Sequence, residues 1–159
     1  MTRRTAAHDP WVWGQVILAA VVVFGVPFAA RRWGTPDPEG ASEWVALVFL
    51  GAGLAVLVTG IATLGRNLTP ATEPLPDGQL VTRGLYRVVR HPIYLGVSMA
   101  LAGYGFLRGG WVGGGLVFLV AVAYFERKAR VEERFLIERM SGYEAYRLRV
   151  PRILPFGWH

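Results

Sequence analysis

Arg90, His91, Pro92 and Tyr94 stand together at the threshold of an apolar run. Proline suits the first turn of a helix, where the N–H it lacks would have no partner. A helix starting there aims free backbone N–H groups and a positive dipole end at its surroundings, a place able to hold a carboxylate or phosphate. Further along, Glu132 and Glu133 are adjacent. Stepping by threes and fours through Phe118, Val122, Phe125, Ala129, Glu132, Leu136 and Met140 puts Glu132 in an apolar stripe that faces protein. Glu133 falls instead on a charged face with Glu126 and Arg130. An inward carboxylate calls for a cation, either Lys128 one turn earlier as an ordinary helix pair or a cationic ligand. Tyr86, Tyr94, Tyr143, Tyr146, Phe156 and Trp158 cluster near these charges, as interfacial anchors or as ring faces for a cation. An anion site, an inward carboxylate and aromatic faces together suit a cationic, zwitterionic ligand with an amino-acid end.

The elements that must position these residues are apolar. Of 159 residues, 53% are hydrophobic and 18% charged, with a mean hydropathy of +0.35, a balance that asks for lipid. Residues 11–30 and 44–64 each reach the ~20 needed to cross a hydrocarbon core as a helix. A cleaved secretory signal ending at Phe28-Ala29-Ala30 is the other reading of the first, but its apolar run is long for one. Residues 92–108 and 111–126 are shorter and span only if their ends reach the interface, with Arg108 snorkelling and Tyr94 and Trp111 at headgroup depth. Gly109-Gly110 predicts a tight turn between them, hence a helical hairpin, and glycines at 103, 105, 113, 114 and 115 predict close helix contact. The proline-rich stretch from Gly65 to His91 reads as a polar loop. Residues 127–159 form a tail whose first half continues the fourth helix as far as Ser141-Gly142. The expected architecture is one all-α membrane domain, a polytopic bundle of about four transmembrane helices with the loop and tail forming a pocket.

Charge sets the orientation. The seventeen Lys and Arg divide as two in the N-terminal stretch (Arg3, Arg4), four in the 65–92 loop and eight in the tail, against Arg31, Arg32 and Arg108 on the other side. The positive-inside rule then places both termini and the pocket in the cytoplasm. Without cysteine, disulfides, thiolate metal sites and cysteine nucleophiles are excluded. The histidines at 8, 91 and 159 are too scattered for a metal cluster, and neither a metal nor a nucleic acid is expected as a partner.

At this point the motifs resemble a known family. Gly84 to Gly96 (GLYRVVRHPIYLG), Arg130 to Leu136 (RVEERFL) and Tyr143 to Phe156 (YEAYRLRVPRILPF) are similar to the isoprenylcysteine carboxyl methyltransferase and phospholipid methyltransferase superfamily. The likeness covers residues 78 to 156; the first two helices match only in hydropathy. It implies an integral membrane enzyme that uses S-adenosylmethionine and methylates a lipophilic or small acceptor, a carboxylate, thiol or amine, with the lipid bilayer as its setting. It also implies cofactor contacts at Gly78, Gln79, Leu80, Val81, Tyr86, Arg90, His91, Pro92, Ile93, Tyr94 and the pair Glu132 and Glu133. Where the family often has an arginine near the acceptor, one turn before the first glutamate, this chain has Lys128, with Arg130 beside it, and these two are the implied catalytic residues. Lysine is a point charge rather than a bidentate fork. Two rival readings are an NADPH-dependent reductase of the sterol-reductase type, disfavoured by the short chain and its Glu-Glu pair, and a non-catalytic membrane scaffold.

Overall fold

The computed structural model describes residues 6–34 and 40–156; Arg3, Arg4, Trp158 and His159 lie outside them. Among the described residues every regular element is helical. Helix α1 (Pro10–Trp33) and α2 (Ala41–Leu64) are followed by an irregular loop with short 3-10 turns at Gly65–Asn67 and Gly84–Arg87. A third helical run, Pro92–Arg139, is broken at Gly109 and Gly110 into two arms, α3 (92–108) and α4 (111–139). A short helix, α5 (Tyr143–Arg147), follows. Three runs are long and apolar enough to cross a membrane: Pro10–Trp33, Ala41–Asn67 and Pro92–Arg139.

The break occurs where the sequence predicts it. Gly110 has φ 58° and ψ −154°, a conformation essentially confined to glycine, so the chain reverses and α4 returns along α3. A Cβ on Gly114 would lie 2.1 Å from the Phe106 ring, and one on Gly105 would lie 3.0 Å from the carbonyl of Gly113. Of the glycines expected at contacts, only Gly115 meets nothing within 4 Å.

Helix α2 lies against α3 through the same device. A Cβ on Gly53 would be 2.6 Å from the backbone nitrogen of Ala100, and one on Gly96 would be 2.6 Å from that of Leu57. Such backbone approach is how helices associate where lipid removes the hydrophobic drive between them.

Helix α1 is held by fewer contacts, several of them polar. Asp9 caps its start, accepting from the Trp11 N–H at 2.9 Å, with Pro10 in the first turn. Gly14 packs on Tyr124, whose hydroxyl donates to the Trp11 carbonyl at 2.5 Å. Residues Val21–Gly25 widen into a π turn just before Pro27. Proline has no N–H to offer the carbonyl four residues back, and that carbonyl, of Val23, accepts instead from the Tyr104 hydroxyl at 3.0 Å.

Candidate functional site

Between α1, α2, α3 and α4, roofed by the 65–91 loop and α5, lies a cavity of about 660 Å³. Of the residues expected at a site, Gly78, Gln79, Leu80, Val81, Tyr86, Arg90, His91, Ile93, Tyr94, Lys128 and Glu132 all line it. Its apolar arm runs along one face of α3, through Ile93, Val97 and Leu101, opposite Val16 and Ala19 of α1. From Ile93 to Leu101 that arm extends about 12 Å at the rise of an α-helix.

The start of α3 is fixed from the protein side. His91 is the N-cap and Pro92 opens the helix, packed near Gly60 of α2. The amides of Arg90 and His91 donate to the carbonyls of Pro151 (2.8 Å) and Arg152 (2.9 Å) in the tail. These two N–H groups lie just ahead of the helix, and their bonds to the tail fix where its first turn points. Arg90 is equally committed: Nε donates to Glu133 Oε1 at 2.8 Å, and Nη1 to the carbonyls of Arg147 (2.6 Å) and Val150.

The two glutamates divide. Glu132, at the cavity wall, accepts from the Tyr94 hydroxyl at 2.5 Å. Glu133 is the more deeply buried and does not line the cavity. It is held by Arg90, by Arg152 Nε at 2.9 Å and by His91 Nε2 at 3.2 Å, while Arg152 also bonds Glu126. Glu126 and Glu133, two of the three residues on the charged face read from helix periodicity, are thus met by Arg152 of the returning tail. Burial works to lower the pKa of Arg152, but Glu133 and Glu126 beside it outweigh that and hold it above its ordinary value.

Lys128 is 1% exposed. Its ammonium donates to Gln15 Oε1 at 2.7 Å and to the Pro70 carbonyl at 3.2 Å, and lies 5.2 Å from the centre of the Tyr94 ring. These hydrogen bonds go to α1 and the loop rather than to Glu132. Arg130, expected beside it, is instead at the surface with its side chain 64% exposed and paired to Glu126. Two residues along a helix are about 200° apart, which turns Arg130 away from the cavity that Lys128 faces.

Aromatic rings stack into the wall. His91 lies parallel to Tyr94 (5.2 Å, 2°), and Tyr94 lies against Phe125 (4.9 Å, 20°). Tyr86, Tyr143 and Tyr146 line the loop and tail side, whereas Phe156 is fully outside at 97% exposure. Burial, reinforced by Glu132 for Tyr86 and by Glu133 for Tyr143, pushes both phenols well above their ordinary value; that of Tyr146 is pushed up to about 12. All three are neutral near pH 7. The buried hydroxyl of Tyr143 has no hydrogen-bond partner among the described residues.

Sequence reasoning missed Asp9 and the role of Gln15. Asp9 is fully buried and accepts from the N–H and hydroxyl of Thr72, at 2.6 and 2.7 Å, tying α1 to the cavity roof. Burial works to raise its pKa, but these bonds and that from Trp11 outweigh it and lower the value below the ordinary 3.8. An Asp-Pro pair opening an apolar run signals the cap. A lone amide, Gln15, inside an otherwise apolar span is the signal for a polar partner.

With that geometry in place, comparison with known proteins is specific. Residues 41–141 match the family model described as phospholipid methyltransferase. A methanethiol S-methyltransferase from Pseudomonas sp. strain GM41 is 26% identical over 148 residues, covering 88% of this chain and 56% of that protein. A protein-S-isoprenylcysteine O-methyltransferase from Schizosaccharomyces pombe is 33% identical over 113 residues, 69% of this chain and 48% of that one. The cobalt-zinc-cadmium resistance protein CzcN of Cupriavidus metallidurans is 27% identical over 149 residues, covering 93% of this chain and 64% of that protein. The chain spans about half the length of the two methyltransferases.

Proposed function

Since this chain belongs to the phospholipid methyltransferase family, we propose that it is a membrane-embedded, S-adenosylmethionine-dependent methyltransferase acting on a lipophilic or small acceptor. The observation that carries this reading is the gathering of Glu132, His91, Tyr94 and Lys128 in one cavity between apolar helices. Its volume of about 660 Å³ is within the roughly 300–1,000 Å³ of small-molecule sites. The residues fit the cofactor: a carboxylate for its ammonium, ring faces for its sulfonium and adenine, and in Tyr143 a buried hydroxyl without a partner among the described residues.

When bound, S-adenosylmethionine supplies an electrophilic methyl group for in-line displacement. The chain's own contribution is to orient and to exclude water. In this reading Glu132 and His91 hold the amino-acid end, the segment from Gly78 to Val81 together with Tyr86 covers the nucleoside, and Lys128 holds the acceptor's head. Arg90, Pro92 and Glu133 fix the frame around them. Carboxylate and thiolate acceptors arrive ready for attack and are favoured by an ammonium held at Lys128. The related methanethiol S-methyltransferase and protein-S-isoprenylcysteine O-methyltransferase bracket the small and lipophilic ends of that range. A lipophilic acceptor enters along the apolar arm between α1 and α3, and the cofactor from the cytoplasm.

The same reading has the hairpin arms α3 and α4 each crossing the bilayer, with both termini and the polar end of the cavity cytoplasmic, as the distribution of basic residues indicates. Because the chain has no cysteine, single cysteines placed at Asp77 and at the exposed Arg108 report sidedness without background. Labelling of both from the same side would overturn the topology. The function is tested by calorimetry on detergent-purified protein with S-adenosylmethionine and, as counter-ligand, NADPH. Saturable binding of the former is expected. Binding of NADPH alone, or of neither by folded protein, would sink the methyltransferase reading.

A further inference from the structure

Arg130 and Phe156, both prominent in the sequence, do not line the cavity. They meet instead at the point where α4 leaves its apolar run. Phe125 ends that run, and Glu126 opens the charged half of the helix. Arg152 of the tail bonds Glu126 and Glu133. The next residue, Ile153, is 1% exposed and packs with Phe125 and Ala129. Leu154 packs against the same cluster, as do Leu95 and Val97 of α3. At Arg152 the tail therefore crosses from the charged to the apolar side of this boundary. Pro155 and Phe156 follow, both exposed. Residues 92–139 are apolar enough to cross a membrane, so a ring on the apolar side of their boundary has hydrocarbon beside it.

The boundary also carries surplus charge. Glu126 is shared by Arg130 and Arg152, and Glu133 by Arg152 and Arg90. Three guanidiniums thus meet two carboxylates, with Arg130 outermost and its side chain 64% exposed. Its 3.4 Å pair with Glu126 is of the exposed kind that contributes little, which leaves the guanidinium able to turn to another anion. Arg127 and Arg134 are exposed on the same face, three residues before Arg130 and four after it. Neither has an ion pair among the described residues. Arg127 and Arg130 are about 4.5 Å apart along the helix, within a headgroup layer about 5–8 Å deep.

We propose that Arg127 and Arg130 bind the phosphate of an anionic phospholipid while Phe156 lies among its acyl chains, so that the outer face of α4 and the end of the tail form one lipid site. A guanidinium suits phosphate because it offers parallel N–H bonds to two oxygens. A lipid held there also pins the tail that carries Arg152 to Glu133. The site is separate from the cavity and does not depend on the reaction performed there.

The test uses full-length protein in vesicles of phosphatidylcholine and phosphatidylglycerol in equal parts, with spin-labelled lipids reporting which headgroup the protein retains. Phosphatidylglycerol is expected to be retained about fivefold or more over phosphatidylcholine. Arg127→Gln combined with Arg130→Gln is expected to remove most of that preference. Arg83→Gln combined with Arg87→Gln takes the same charge from the exposed loop and is expected to leave it. No preference in wild type, its survival in the first variant, or equal loss in both variants each overturns the proposal. A second reading holds even where a charge variant fails to fold. Because the chain has no cysteine, Phe156→Cys carrying an environment-sensitive fluorophore reports the depth of the tail. Quenching by nitroxides on the acyl chains is expected, and quenching by aqueous iodide instead overturns the site.

Discussion

Two parts of the molecule hold helix α3, and they do so by opposite chemistry. Along the seam with α2, glycine faces glycine, and the backbones of residues 53 and 96 approach with no polar side chain between them. At its cytoplasmic-facing start, in our reading, α3 is held by a knot of charge in which Arg90, His91 and Arg152 converge on Glu133. The seam works in lipid because shape alone is sufficient there. The knot brings full charges out of water, which is costly unless every partner is present. Small residues therefore give the helices their closeness, and the ion pairs give one particular end its chemistry.

Substitutions can break or sharpen that contrast. The largest loss is expected for Glu133→Ala, which strands buried Arg90 and should cost about 3–5 kcal/mol in denaturant unfolding in detergent. Gly53→Ala is expected to cost about 1–3 kcal/mol by overpacking, and to leave cofactor affinity per folded molecule unchanged. Were the seam variant the more damaging, the knot would be ornament. Glu132→Ala should do the reverse of Gly53→Ala: stability nearly unaltered, and S-adenosylmethionine affinity reduced about tenfold, or about 1.4 kcal/mol, by calorimetry.

An effect of about 1–3 kcal/mol is expected for Asp9→Ala, which removes a helix cap and leaves the buried N–H of Thr72 unpaired. Its pH dependence has a definite sign. Because the folded pKa of Asp9 lies below the ordinary 3.8, its stabilisation is complete above that pH and is lost as pH falls through the lower folded value. Wild type should lose stability in that acid range more steeply than Asp9→Asn, by thermal unfolding across pH. Arg130→Ala, on the exposed face of α4, should change stability by under about 0.5 kcal/mol and leave cofactor binding alone.

What was legible in the sequence follows from this contrast too. Apolar run length marks the spans, Gly109-Gly110 marks the turn, Pro92 marks a helix start, and the spacing from Phe125 to Met140 puts Glu132 on the inner face. All of these are local signals, carried by periodicity or by one residue's backbone freedom. The partners of the charged groups are not local. Lys128 finds Gln15 at a separation of 113 residues, and Asp9 finds Thr72 at 63. Nothing in the spacing of Glu126, Arg130 and Glu133 reveals that Arg152 will fold back over that face. Helix periodicity names a side of the helix but cannot say what covers it.

The pairing of Arg90 with the tail also has a meaning in time. Its contact at Val150 lies 60 residues further along the chain. At a synthesis rate of about 5–20 residues per second, roughly 3–12 s separate the appearance of the guanidinium from that of its carbonyl partner. During that interval the entrance to α3 exists without its closure, and only Glu133, 43 residues along, is made in time to meet the guanidinium before the tail arrives.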